Sequence, residues 1–271
     1  MRDPIRRFLH RGLEVSGLIG PLHRRQERRH AELSSEPHED GLPMPPAALI
    51  GAVAGTGSQR WYSQRGKHDA AWFTSMATSH GVTLAGARVW DLGCGCGRIA
   101  RWIAPDILTS GGDFIGTDIN KELVRWCEAN LPGRYIRNSL QPPAKIPDGD
   151  RDVAYAYSVF THLREPALRA WLAEIARVLR PGGLALLTFH DEAYAAAWGP
   201  EAVRLSLQSQ PLVIFNDALE GSNYLSTWMH RSAFVTFAEE QFTIREIVPG
   251  RRDEPVQAMA VLEKRSGRAP R

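Results

Sequence analysis

Only three cysteines occur among the 271 residues, Cys94, Cys96 and Cys127, and two of them are separated by a single residue. That is too few for a disulfide framework, and Cys-x-Cys with no nearby His or further Cys cannot complete a four-ligand zinc site. No metal is expected, and a reducing, cytoplasmic setting is the expectation. No run of about 18 apolar residues exists to cross a membrane, and the first residues hold no apolar stretch of signal-peptide length. A soluble protein is expected. Lysine is scarce as well, 4 residues against 29 arginines, so arginine is the general cation of the chain. The net charge of +3 is uneven. Between Met1 and His30 eight arginines face three acids, which gives this head +5 and leaves −2 for the rest. The body is therefore no basic nucleic-acid surface, and no nucleic-acid partner is expected. The head carries Ile5, Phe8, Leu9, Leu13 and Leu22 at rough helical spacing between its arginines. It reads as a solvated or domain-packing helix, with peripheral membrane contact as the lesser alternative.

What is present is enough apolar material, 43% of residues, for one full core. The acidic, proline-rich "SSEPHEDGLPMPP" from Ser34 to Pro46 reads as a linker, dividing a basic helix and linker (1–45) from a body (46–265) and a disordered tail (266–271). Helices are expected near Pro46 to Val53 and Lys67 to His80, flanking a polar turn that contains "GTGSQRWYSQRG". Strands then follow at Ala87–Asp91, Asp113–Thr117, Tyr135–Asn138, Asp152–Tyr157 and Leu184–Phe189. The intervening helices are expected at Arg98–Ala104, Lys121–Asn130 and Glu165–Leu179, the last ended by "RPGG". Strands alternating with helices of this length imply right-handed parallel βαβ units and a doubly wound α/β sheet. Residues 191–230 break the rhythm as a loop-like, aromatic-rich insertion, which in a compact domain suggests a lid. A helix from Arg231 to Glu240 and strands at Phe242–Val248 and Val256–Glu263 close the chain.

The stretch "RVWDLGCGCGRIARW" places a glycine loop between a strand and a helix, where backbone can approach a ligand closely. As a dinucleotide fingerprint it fails at its sixth position, Arg98, where a small residue is needed for tight helix packing. Asp91 at the strand end repels phosphate and attracts a cationic group. Asp118, 25 residues beyond Gly93 at the tip of the next strand, can accept both hydroxyls of a ribose. A cationic amino acid joined to a ribose describes S-adenosylmethionine.

At this point the chain resembles the class I S-adenosylmethionine-dependent methyltransferases, over roughly Ala47 to Lys264. "VWDLGCGCGR", "GTDIN", "RDVAYAYSVFTHL" and "EIARVLRPGGLALLTF" are similar to four of the family's motifs, in order and at normal spacing. "VAGTGSQRWYSQRG" and "STWMHRSAFV" are similar to stretches in its bacterial small-molecule members. The resemblance implies a Rossmann-like seven-stranded sheet with the last strand antiparallel, N-terminal helices and an insertion after the fifth strand. It implies that Asp91 holds the methionine ammonium, that Gly93 and Gly95 let the backbone pass the cofactor, and that Asp118 grips the ribose with Ile119 against adenine. Asn138 and Ser139 stand where many relatives have an acid for the adenine amine, and Tyr157 and Ser158 would border the sulfonium.

The acceptor is narrowed by what is missing. "AYSVFTHL" is no Asn/Asp-Pro-Pro-aromatic motif of base or glutamine methylation, no Pro-Cys nucleophile for cytosine is present, and no metal triad of the catechol type is evident. A small molecule or saccharide remains, with methylation at oxygen favoured over nitrogen or carbon. A hydroxyl acceptor needs a general base, and His162, His190 and His230 are the candidates, with the choice among them open. Tyr194, Trp198, Tyr224 and Trp228 could stack on an acceptor ring or form a satellite core. The competing readings are a nicotinamide-dependent oxidoreductase and a non-catalytic binding protein of the same fold.

Overall fold

The computed structural model describes residues 38–216, 220 and 223–266. The basic head up to Pro37 and the tail from Gly267 lie outside the described residues. Two helices come first, α1 (Ala47–Ala54) and α2 (Gln59–Ser79). The regular alternation follows: β1 (Arg88–Leu92), α3 (Ala100–Thr109), β2 (Asp113–Asp118), α4 (Lys121–Asn130), β3 (Arg134–Arg137), β4 (Arg151–Ala156), α5 (Glu165–Val178) and β5 (Leu179–Phe189). Then come α6 (Glu192–Trp198), α7 (Glu201–Ser206), β6 (Leu212–Phe215), β7 (Ser226–Met229), α8 (Arg231–Ala238), β8 (Phe242–Val248) and β9 (Ala258–Lys264).

Seven strands form one sheet in the order β3-β2-β1-β4-β5-β9-β8. The first five are parallel, and β9 enters antiparallel between β5 and β8, which bears out the expected seven-stranded, doubly wound arrangement. Both faces of the sheet are covered. Leu168, Trp171, Leu172 and Ile175 of α5 with Phe234 of α8 fill one layer against Trp90, Leu92 and Leu187. Phe73 of α2, Ile103 and Ile107 of α3 and Val124 of α4 fill the other against Val89, Tyr155 and Leu186. Alternation along β1 therefore puts Asp91 on the α2 side, with Val89.

Three segments depart from the expectation. The supposed turn "GTGSQRWYSQRG" is mostly helix: Ser58 caps α2 by accepting from the Trp61 N–H, and Gly66 lies inside the helix. Gly66 is not a breaker but a contact, because a Cβ there would stand 2.3 Å from the Arg98 carbonyl oxygen. The described part of the proline-rich linker is pinned to the body. Fully buried Arg101 pairs with Asp40 and donates to the carbonyls of Leu42 and Pro43 at 3.1 and 3.2 Å. "RPGG" sits within β5 at a register shift between Arg151 and Val153 of β4, with Gly182 at φ 73°, so helix α5 passes directly into the strand at Leu179.

Gly66→Ala tests this packing. In an unconstrained helix interior the change would gain about 1 kcal/mol; against the Arg98 carbonyl it should instead cost about 1–3 kcal/mol of overpacking. Urea denaturation that shows a more stable variant would contradict the close approach.

Candidate functional site

The glycine loop is folded inward. The N–H groups of Gly93 and Cys94 both donate to the Thr117 carbonyl, at 2.7 and 2.9 Å, and Gly97 donates to the Cys94 carbonyl at 2.9 Å. The Gly95 N–H donates to the Asp118 carboxylate at 2.9 Å. A phosphate cradle needs those donors pointing outward. Here they join the loop to the end of β2, so the loop offers no nest for a pyrophosphate. Gly93 has φ 76° and faces Val159, where a Cβ would come within 2.3 Å of the valine methyl. Above Gly95 lies Val53 of α1. The hairpin of the insertion reaches the same helix, with Asn223 Nδ2 donating to the Ala52 carbonyl.

Asp118 is fixed from two sides. One oxygen accepts from Gly95 and the other from the Asn120 N–H at 2.8 Å, and each retains a lone pair for an outside hydroxyl. Burial pushes its pKa up against those backbone bonds. Ile119 is half-buried next to it, its carbonyl held by Arg137 Nε at 3.1 Å. At the end of β3, Asn138 donates from Nδ2 to the Ser139 carbonyl, while its Oδ1 is buried without a partner. A buried acceptor left over beside a carboxylate able to accept ribose hydroxyls matches the donor of an adenine amine. The residues present therefore fit S-adenosylmethionine.

Asp91 is buried on the α2 side of the glycine loop, where its carboxylate accepts from the Tyr155 hydroxyl at 2.9 Å. It forms no ion pair among the described residues. Burial raises its pKa to about 7, opposed by the Tyr155 hydrogen bond and the charge of Arg98, and reinforced by Asp118. A carboxylate in this position gains from an incoming cation.

Beyond β4 the chain bends sharply. Ser158 is a non-glycine residue with φ 61°, a conformation that surrounding bonds must hold. Its N–H donates to Thr188 Oγ1 at 2.7 Å, its hydroxyl meets Thr161 at 2.9 Å and Gln257 Nε2 at 2.8 Å, and its carbonyl accepts from Thr161 at 2.6 Å. Thr188 in turn donates to Gln257 Oε1 at 2.8 Å. The ends of β4, β5 and β9 thus meet at one serine. Tyr157, beside it, stacks on the Arg98 guanidinium at 4.6 Å.

The fold holds the three histidines in different ways. His162 donates from Nδ1 to the Leu225 carbonyl at 2.7 Å, which leaves Nε2 as the bare acceptor, and burial lowers its pKa. His190 stacks with both Tyr194 and Trp228, ring centres 4.8 and 4.2 Å away, and those two rings stack with each other at 6.0 Å; Gln257 Nε2 lies 3.3 Å from the His190 Nε2. Burial, with a contribution from His162, holds its pKa down at about 3, so its ring is neutral and weakly basic. His230 has its Nε2 spent on the Leu207 carbonyl at 2.7 Å.

The insertion is more ordered than a loop-like reading allowed. It contains α6, α7 and the antiparallel hairpin β6-β7, around a satellite core of Ala195, Val203, Leu207, Val213 and Trp228. Trp228 belongs to that core with Tyr194 against it, whereas Trp198 and Tyr224 are exposed. All three cysteines are buried and free, and no cluster of three metal-ligating side chains occurs among the described residues. Likewise, no helix among the described residues is long and apolar enough to cross a membrane. Sequence reasoning missed Arg65 and Asp69, Thr161, Thr188 and Gln257. Arg65 lies in the segment taken for a turn and Asp69 in the helix expected to follow it, and their i, i+4 spacing was the one available signal.

A family model described as a methyltransferase domain matches residues 89–183. The chain is 33% identical over 125 residues to the biotin biosynthesis bifunctional protein of Bordetella avium, covering 45% of this chain and 26% of that one. It is 31% identical over 114 residues to phthiotriol/phenolphthiotriol dimycocerosates methyltransferase 1 of Mycobacterium ulcerans, covering 41% and 40%. The chain thus spans less than half the length of these two relatives. Among solved structures, 1,6-didemethyltoxoflavin-N1-methyltransferase of Burkholderia thailandensis, with S-adenosylhomocysteine bound, shares the fold at a TM-score of 0.54 and 16% identity, covering 86% of this chain and 92% of that one.

The buried Asp91 generates a stability prediction with a definite sign. Its folded pKa of about 7 lies above the ordinary 3.8, so between those values the folded protein keeps a proton that the unfolded chain has lost. Stability of the ligand-free protein therefore falls as pH rises through that window, and the cost is complete above it. Asp91→Asn should be more stable than the parent above pH ~7, by up to about 4 kcal/mol at ~1.4 kcal/mol per pKa unit, and nearly equal to it near pH 4. Urea midpoints that differ by the same amount at both ends would contradict a buried, uncompensated carboxylate.

Proposed function

We propose that this chain, a class I S-adenosylmethionine-dependent methyltransferase by its domain and fold, transfers a methyl group from that cofactor to an oxygen of a small-molecule acceptor. The observation that carries the reading is the pair of buried carboxylates on either side of an inward-folded glycine loop. Asp91, without a cation of its own, suits the cofactor's ammonium, and Asp118, with one lone pair left on each oxygen, suits the ribose hydroxyls. Ile119 would lie against adenine and the unpartnered Asn138 Oδ1 would accept from its amine, with Ser139 at the rim. A nicotinamide dinucleotide is poorly served, because its pyrophosphate would meet loop N–H groups already bonded to Thr117 and Asp118.

When bound, the cofactor supplies an activated methyl on a sulfonium. The protein's part is alignment, exclusion of water and management of one proton. Tyr157 and the braced Ser158 form the wall between cofactor and acceptor, and the neutral, stacked His190 extends it towards the insertion. His162 is the base best prepared for a hydroxyl acceptor, since its tautomer is fixed by Leu225 and its Nε2 lone pair is free. His162 Nε2 would take the proton that the acceptor hydroxyl gives up when its oxygen is methylated.

Asp118→Ala should weaken S-adenosylhomocysteine binding by about 1.5–3 kcal/mol for each charge-assisted hydrogen bond lost, at least tenfold by calorimetry. Unchanged affinity in a folded variant would remove the cofactor assignment. His162→Gln should leave that affinity within about twofold but lower kcat roughly 100-fold or more and abolish the acidic limb of its pH profile, because a positioned base contributes on that order. A normal pH profile in this variant would exclude His162 as the base.

A further inference from the structure

Two buried N–H donors stand at the end of β5 with nothing to receive them. Trp228 Nε1 and His190 Nδ1 are both enclosed and make no hydrogen bond, and the two rings stack with centres 4.2 Å apart. Which His190 nitrogen carries hydrogen follows from the bonds around Ser158. The Ser158 N–H donates to the Thr188 hydroxyl, Thr188 donates to Gln257 Oε1, and Gln257 Nε2 donates back to the Ser158 hydroxyl. The Ser158 hydroxyl passes its hydrogen to Thr161, which donates to the Ser158 carbonyl. With the Gln257 amide oriented in this way, its second hydrogen faces His190 Nε2 at 3.3 Å. Nε2 therefore accepts, and a ring that burial keeps neutral holds its one hydrogen on Nδ1. The Thr227 carbonyl lies within the field of the ring without completing a bond to Nδ1. An enclosed donor without a partner is costly, and in a native fold it marks a place where a ligand or a water belongs.

These donors lie away from the cofactor carboxylates. Asp91, Tyr155 and Leu186 stand in one row across β1, β4 and β5. Alternation along β5 puts Thr188 and His190 on the face of Leu186, opposite Phe189, so His190 is about 10 Å across the sheet and about 13 Å along it from Asp91. The cofactor runs the other way in the reading above, from Asp91 towards Asp118 on β2 and Asn138 after β3. Strand β7 joins the donors to the candidate base. The Leu225 carbonyl just before it holds His162, Thr227 donates to the Leu163 carbonyl at 2.6 Å, and the Met229 N–H donates to the His190 carbonyl at 3.0 Å. An acceptor whose hydroxyl faces His162 would have its remainder along β7, towards Trp228 and His190. Both groups there donate and neither accepts. They call for an oxygen with lone pairs and no hydrogen of its own: a sugar hydroxyl would leave its hydrogen unmatched on this side, whereas a carbonyl leaves nothing over.

We propose that His190 Nδ1–H and Trp228 Nε1–H form a carbonyl subsite for the methyl acceptor, so that the substrates are hydroxylated carbonyl compounds. The assignment rests on the methyl-transfer reading and fails separately from it. The protein saturated with S-adenosylhomocysteine is titrated by calorimetry with 3′- and 4′-hydroxyacetophenone, and with 3- and 4-ethylphenol as matches that carry CH2 in place of the carbonyl. The ketones should bind at least about tenfold more tightly, the scale of two neutral hydrogen bonds. Only the ketones should move the Trp228 indole N–H proton resonance downfield, and long-range nitrogen spectra should show His190 protonated on Nδ1. Trp228→Phe and His190→Phe each keep an aromatic ring in the stack, and each should lose about threefold or more of the preference while S-adenosylhomocysteine affinity stays within about twofold. If either variant fails to fold, the spectra of the parent protein still decide. Ketones that bind the parent no better than the ethylphenols would overturn the subsite. So would a Trp228 resonance unmoved by a bound ketone, since the donor would then serve an enclosed water, or a His190 ring protonated on Nε2. Failure of S-adenosylhomocysteine to bind before any ketone is added would overturn the methyl-transfer reading and this proposal with it.

Discussion

The site depends on the bonds by which the glycine loop after β1 folds onto the end of β2. Gly93, Cys94 and Gly95 direct their N–H groups to the carbonyl of Thr117 and the carboxylate of Asp118, in line with the parallel register that pairs Leu92 with Thr117. This one clamp has three effects. It removes the donors that a phosphate would need, it aims Asp118 with a lone pair free on each oxygen, and it leaves Asp91 beneath the loop without a counter-ion. The choice between a dinucleotide and a sulfonium nucleoside is therefore made by where a few backbone N–H groups point.

A buried carboxylate with a pKa near 7 is a standing cost to the empty protein. The cost makes sense as preparation, since an ammonium arriving beside Asp91 recovers what desolvation took away. Ser158 is a second strained element at the same edge, held in a left-handed conformation by Thr161, Thr188 and Gln257. Those partners come from the turn after β4 and from the adjoining ends of β5 and β9, so the sheet itself braces the wall proposed between cofactor and acceptor. The insertion adds Tyr194 and Trp228, which stack on His190 at the end of β5, and its hairpin touches α1 over the glycine loop. Cofactor cover and acceptor wall are thus parts of one connected structure.

The sheet and the two carboxylates proposed for the cofactor were legible because they are local. Strand, glycine turn, helix and a carboxylate at the next strand tip follow each other in the chain, and period-2 and period-3.6 patterns report them directly. The start of α2 was misread because Gly66 carries the sign of a breaker; its real reason, the Arg98 carbonyl 2.3 Å from a hypothetical Cβ, lies 32 residues away. The proline-rich stretch was misread for a similar cause, since Arg101 binds it from 58 to 61 residues downstream.

By itself the sequence determined the fold class, the order of the motifs and the identities of Asp91 and Asp118, because each depends on short-range spacing. Tertiary structure alone decided how each histidine ring is held, because Leu225, Gln257 and Leu207 reach the three rings across long separations. It alone brought Arg65 and Arg98 together on the buried Asp69 carboxylate, with Arg98 against the Tyr157 ring. A side chain's type is written in the chain, but its partners, its access to water and hence its charge state are set by what the fold packs against it.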